Sequence, residues 1–308
     1  MHNASSRSSV LTRSQIVAVT TVAFVAAFGV GAASAETIAI PSQDEWDSAR
    51  QTATLPSGQT IGYVEMGNTE GDPLVLIHGY TDNSRSWSLL APELADRHIY
   101  AVDLRGHGES AAPECCYTLM DFSHDLERFM VAQEIETADI VGHSLGSMTA
   151  ALFAAQHPDM VDRLVLISTA ATTPEAAGDW LWENVPQLPE TLDPDSQFMK
   201  DWYWNPNPVP ADFIDRERAE SAATPKHVWT GVLEGLTMTD WSPYAERIEA
   251  PTLILWGDED GLFGEASQEL VKQILPKARH ETFEGYGHNM FWETPDTVGP
   301  MIAAFLSE

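Results

Sequence analysis

The chain has 308 residues with 44% hydrophobic and 20% charged residues, enough to bury a sizeable core in one large domain with an insertion or in two small ones. Its formal net charge of -30 sets the surface apart from an ordinary balance. So acidic a surface repels nucleic acid and anionic membranes, which excludes both as main partners, and it favours solubility in a medium salty enough to screen self-repulsion.

Arg7 and Arg13 precede an uncharged apolar run over residues 16–33, and Ala33-Ser34-Ala35 then offers a small-x-small cleavage pattern. Residues 1–35 therefore read as a signal peptide with Glu36 as the first mature residue, of an exported, periplasmic or secreted protein. The run is also long enough to serve as an uncleaved anchor. Residues 41–50 are polar, a lead-in helix or coil. Gln51 to Leu55 and Thr60 to Met66 flank Pro56-Ser57-Gly58 and predict a hairpin. Leu74 to Ile77 is an apolar run ending at His78-Gly79, as a buried central strand should look. A helix is expected over Ser86 to Ala95, a strand over His98 to Asp103, and a helix over Met120 to Gln133, where Phe122, Leu126, Phe129 and Met130 recur at helical spacing. The adjacent Cys115 and Cys116 are the only cysteines; a strained vicinal disulfide and two unpaired thiols are both compatible with them, and a cysteine metal site is not.

Asp139 to His143 is the next buried strand. It ends in Gly142-His143-Ser144-Leu145-Gly146, and a helix-like run follows at once. A serine on so tight a strand-to-helix turn is forced into a strained backbone, and glycines two positions to either side give neighbouring backbone room to pass. The turn lifts the hydroxyl above the sheet edge and aims a helix N-terminus at whatever it attacks. Arg163 to Ser168 is another strand. From 172 to 241 the composition shifts to proline, tryptophan and acidic residues, an insertion. Alternating strand and helix resume with Pro251 to Gly257, a helix near Ala266 to Leu275, a strand over Arg279 to Phe283 and a final helix over Thr294 to Leu306. This alternation implies a mostly parallel sheet covered on both faces.

A serine hydroxyl needs a base, and the base needs an orienting carboxylate. His288, in the glycine-flanked loop after the last strand, has the best position among the ten histidines; His98 and His280 lie at strand starts, His157 in a helix-ending turn and His124 on a helix. The loop Gly257-Asp258-Glu259-Asp260-Gly261 offers the acid, Asp260 first and Asp258 next, whereas Ser168 to Ala171 holds none. Charge developing on a carbonyl oxygen needs preset donors. The amide of Leu145 and that of Tyr80, in the loop after the first central strand, are the candidates.

These motifs together resemble the α/β-hydrolase family over most of the chain. His78-Gly79-Tyr80 is similar to its oxyanion loop, Asp103 to Ser110 to the loop after the next strand, and Gly142 to Gly146 to its nucleophile elbow. Gly257-Asp258-Glu259-Asp260 matches its acid loop and points to Asp260, and Gly287-His288 with Glu293-Thr294-Pro295 its histidine loop. The resemblance implies the α/β-hydrolase fold, with residues 36–171 and 242–308 as core and 172–241 as a helical cap. A serine at the elbow sets the chain apart from the aspartate-using dehalogenases and epoxide hydrolases of this fold. Asp103 and Arg105 are expected to fix their loop, with His107 at the surface or behind the site. The cap tryptophans, with Trp87, Met148, Met290 and Phe291, are candidates for the substrate pocket or for core. The expected function is hydrolysis of a small carboxylic ester or lactone through an acyl-enzyme on Ser144, His288 and Asp260, with no metal or organic cofactor and no stable membrane partner after signal cleavage. The same triad also serves cofactor-free haloperoxidase-like, carbon–carbon hydrolase and amidase chemistry, and a binding protein that kept the fold is the reading from another class.

Overall fold

The computed structural model describes residues 37–308; the candidate signal segment lies outside the described residues. Strand β1 (Thr37–Ile38) and the short helix α1 (Trp46–Ala49) lead into the expected hairpin of β2 (Arg50–Thr54) and β3 (Thr60–Asn68). Both β1 and β2 pair antiparallel with β3, which pairs antiparallel with β5 (His98–Val102). From there the sheet is parallel: β5, then β4 (Pro73–Ile77), β6 (Ala138–His143), β7 (Val161–Ile167), β8 (Thr252–Gly257) and β9 (Arg279–Phe283). Parallel strands covered on both faces have no solvent side, so β6 and β8 are buried along their whole length. The consequence for function is geometric. The loops after β4, β6, β8 and β9 all leave the same edge of the sheet.

Helix α2 (Leu119–Ala132) starts where a capping box allows: the Thr118 hydroxyl accepts from the Asp121 amide, and the Asp121 carboxylate accepts from the Thr118 amide. Helix α3 (Leu145–Gln156) is buried along nearly its whole length and lies against α2, β6 and β7. Its lack of an amphipathic stripe follows from that all-round burial. Between β7 and β8 the chain runs through α4 (Glu175–Asn184), α5 (Gln197–Trp202), α6 (Ala211–Ala223) and α7 (Lys226–Thr237), and an isolated antiparallel bridge joins Thr172 to Asp240 at the base of this excursion. The sheet is completed by α8 (Glu265–Ile274), the short α9 (Met290–Glu293) and α10 (Pro295–Leu306).

One expected element differs. Residues 86–95 form no α-helix but contribute to two 3-10 turns, Ser84–Trp87 and Ala91–Leu94. The first turn is capped by Asn83, whose Oδ1 accepts from the Arg85 amide, and its Ser84 amide is held by Asp103. Pro92, with no amide to give, interrupts the ladder that one helix over 86–95 would need.

Arg85, fully buried, lies in that segment and joins three parts of the fold. Its Nε donates to Glu220 of α6 at 2.6 Å, its Nη2 to Asp47 at 2.6 Å, and its Nη1 to the Gln43 carbonyl. Arg50 reaches the other oxygen of Glu220 at 2.6 Å. This pins α6 to the core. Truncating this fully buried side chain leaves a cavity and unmakes its hydrogen bonds, so Arg85→Ala is expected to lower unfolding free energy by ~2–5 kcal/mol, read from urea unfolding followed by tryptophan fluorescence.

Candidate active site

Ser144 stands between β6 and α3 with φ 52° and ψ −119°, a left-handed backbone that costs a non-glycine residue ~1–3 kcal/mol. The turn closes because two neighbours lack side chains. A Cβ on Gly146 would lie 2.1 Å from the Ile77 carbonyl oxygen, and one on Gly142 would lie 2.4 Å from the Gly146 carbonyl oxygen. Helix α3 can therefore start directly against the end of β4, and its first residue is Leu145. The Leu145 amide is among those a helix leaves without an internal partner.

His288 follows β9. Its Nδ1 donates to Asp260 Oδ2 at 2.8 Å, and Asp260 Oδ1 accepts from the Leu262 and Phe263 amides at 2.9 Å each. Burial pushes the Asp260 carboxyl up, but His288 and the two amides outweigh it and leave the group below the ordinary carboxylate range. Asp258, its rival by sequence, instead accepts from the Gly285 amide at 2.6 Å and is exposed. The His288 carbonyl is held as firmly as its ring. It accepts from the Ser168 hydroxyl at 2.7 Å and from His143 Nε2 at 3.1 Å. Ser168, in the loop that holds no acid, is thus a backbone clamp, and it too has a left-handed φ of 47°.

The loop after β4 is braced by two buried imidazoles. His78 Nδ1 donates to the Gly79 carbonyl and its Nε2 accepts from the Leu104 amide. His107, expected at the surface or behind the site, is fully interior: its Nδ1 donates to the Arg105 carbonyl, and its Nε2 accepts from the Thr81 amide. Burial lowers the His107 ring to about 4, so it stays neutral and keeps that acceptor. Thr81 itself has φ 66°, an unusual backbone for a β-branched residue. Tyr80 is fixed beside it, its hydroxyl donating to the Trp229 carbonyl and its ring edge-on to Trp202 and Trp229. As expected, Asp103 and Arg105 shape their own loop: Asp103 accepts from the Ser84 and Glu109 amides, and Arg105 pairs with Asp125 at 2.6 Å while donating to the Cys116 carbonyl. Cys115 and Cys116 are disulfide-bonded to each other in that neighbourhood, away from Ser144.

A cavity of about 500 Å³ opens at these loops, walled by Ser144, His288 and Tyr80 together with Trp180, Trp202 and Trp204 of the inserted segment. Trp87, Met148 and Met290 do not line it. Each is fully buried, Trp87 with its ring 5.0 Å from that of Phe291, because the side chains beside the elbow and beside His288 turn into the core. Trp229 and Trp241 are likewise interior, the latter donating to the Ala170 carbonyl. Trp182 points outward, 40% exposed.

The model of the α/β-hydrolase fold family matches residues 72–295. The chain belongs to that family. It is 27% identical to Lipase 1 of Psychrobacter immobilis over 270 residues, 83% of this chain and 84% of that one. It is 28% identical to Lipase 3 of Moraxella sp. over 77% of this chain and 78% of that one. A hydrolase from Pseudomonas aeruginosa superposes with a TM-score of 0.75 at 26% identity, covering 84% of this chain and 98% of the other.

This member of the family carries cavity walls that sequence reasoning missed: His143, Tyr203, Trp292 and above all Asp82. Asp82 lies two residues past Tyr80 in the same loop, which is the signal that could have found it. It is 5% exposed, its Oδ1 accepts from the Tyr203 hydroxyl at 2.8 Å, and burial pushes its carboxyl up to about 7. Folded Asp82 therefore binds a proton more tightly than the unfolded chain does, with its ordinary value of 3.8. Its contribution to stability is fully present below that unfolded value and is lost as pH rises toward 7. The melting temperature should accordingly be higher at pH 5 than at pH 7.5, and Asp82→Asn, which keeps the acceptor for Tyr203, should flatten that slope in differential scanning fluorimetry.

Proposed function

We propose that the protein is an exported serine hydrolase that cleaves small carboxylic esters or lactones. The observation that carries this reading is the facing of one cavity by Ser144, on its left-handed turn, and by His288, whose Nδ1 is held on Asp260. With Nδ1 bound to the carboxylate, Nε2 is the nitrogen left to take the serine proton. The lipase names of two relatives support an ester as the bond attacked.

In this mechanism Ser144 Oγ adds to the ester carbonyl as His288 takes its proton. The Tyr80 and Leu145 amides receive the oxyanion, each such donor being worth about 10²–10³ in rate. His288 returns the proton to the departing alcohol, and Asp260 stabilises the imidazolium in between. Water, activated by the same imidazole, then releases the acid from Ser144. The braced left-handed loop at Thr81 fits this role, since a donor that must meet an oxyanion gains from being fixed beforehand. Residues 172–241 act as the cap of this site and supply its aromatic wall, which sets the size of group admitted. No metal or organic cofactor enters these steps.

Ser144→Ala should abolish hydrolysis of a short p-nitrophenyl ester while leaving the far-ultraviolet circular dichroism spectrum intact. Asp260→Asn should lower kcat by about 10³–10⁴, whereas Asp258→Asn should stay within about threefold of wild type because it touches only the Gly285 turn. Retained activity in Ser144→Ala, or equal losses in the two aspartate variants, would contradict the assignment. Export is tested separately: the protein recovered from the periplasm or medium should begin at Glu36, and recovery only with an intact N-terminus in the membrane fraction would point to an anchor.

A further inference from the structure

The cavity at Ser144 has a wall composition that ester cleavage alone leaves unused. Its rings include two stacked pairs: Trp180 with Trp202, centroids 6.1 Å apart and 6° from parallel, and Tyr203 with Trp292, 6.0 Å apart and 13° from parallel. An apolar acyl pocket needs only such rings and aliphatic neighbours. Here three carboxylic acids share the walls, Asp82 buried and Asp201 and Glu259 exposed, and no lysine or arginine lines the space. Aromatic faces carry the negative side of the ring quadrupole and attract cations. Acid groups beside them select for the same sign.

We propose that this cavity binds the alkylammonium group of a cationic ester, an ester of an amino alcohol or of an amino acid, between its indole faces and the carboxyl of Asp82. The inference deepens the serine-hydrolase reading and rests on it for the bond cleaved, though not for the binding. A second observation supports it. His143 lines the cavity and gives its Nε2 proton to the His288 carbonyl, so its buried Nδ1 carries a lone pair with no donor. That lone pair lies 3.9 Å from Asp82 Oδ2. The undonated nitrogen thus faces Asp82 at the cavity wall, and Tyr203 donates to the other carboxyl oxygen. An ammonium beside Asp82 holds it ionised against a burial that otherwise favours its neutral form. The chain's net charge of -30 acts in the same direction at longer range, raising the local concentration of cations.

The test uses two esters of one shape, butyrylcholine and 3,3-dimethylbutyl butyrate, in which carbon replaces nitrogen. Ser144→Ala protein titrated with each, followed by tryptophan fluorescence, reads binding without turnover; the wild-type protein reads kcat/KM for both. The cationic ester should bind about tenfold or more tighter, the range expected of a desolvated cation–π site, and be favoured in kcat/KM by a similar factor. Sodium chloride at 500 mM and the Asp82→Asn variant should each compress that ratio. Should Asp82→Asn fail to fold, Trp180→Leu and the salt series read the same ratio. Equal affinity for the two esters would overturn the cationic site and leave the nucleophile assignment standing. Selective binding of the choline ester with no turnover of either ester by wild type would support the site and overturn the hydrolase reading instead.

Discussion

Everything in this site depends on how closely α3 approaches the end of β4. With no Cβ at Gly146, the first turn of the helix rests on the carbonyls of Ile77 and His78, and with none at Gly142 the strand passes under the turn. Ser144 absorbs the geometric cost as a left-handed residue. The surrounding sheet can hold that strain because β6 is buried along its length between β4 and β7. What the strain secures is placement. A hydroxyl on a sharp turn stands clear of the sheet, and the helix amide next to it faces the same way.

The other half of the site is built from neutral histidines used as rigid struts. His78, His107 and His143 are all buried, and burial drives all three below the ordinary imidazole value. Each can therefore hold one fixed tautomer, with one nitrogen donating to a backbone carbonyl. His78 and His107 shape the loop that carries Tyr80, and His143 with Ser168 grips the backbone of His288. The contrast with His288 itself is chemical: its Nδ1 partner is the carboxylate of Asp260 and not a backbone carbonyl. Environment alone separates these three struts from the residue proposed as the base.

Most of the parallel sheet was legible in the sequence because buried strands leave uninterrupted apolar runs, as at Leu74 to Ile77 and Leu253 to Trp256. The elbow was legible because only glycine fits at 142 and 146. Asp260 could be preferred over Asp258 from the motif, while its bond to His288 is a fact of the fold. What stayed hidden shares one cause, a dependence on contacts distant in sequence. Where a helix was expected over Ser86 to Ala95, the first of two turns is anchored by Asp103, 19 residues on, through the Ser84 amide. Trp87, Met148 and Met290 are apolar residues beside reactive ones, and sequence proximity cannot tell a cavity wall from the core behind it. Nothing in the local sequence marks Asp82 as buried; Tyr203, from the inserted segment, comes from 121 residues away to donate to it.

Ser144 is proposed as the nucleophile of an acyl-transfer site. Its most direct test is labelling of the native protein with a fluorophosphonate probe, followed by peptide mass spectrometry to locate the adduct. One adduct per chain is expected, on Ser144, lost when the protein is denatured first. A folded sample that takes no label, or takes it on another residue, would contradict it.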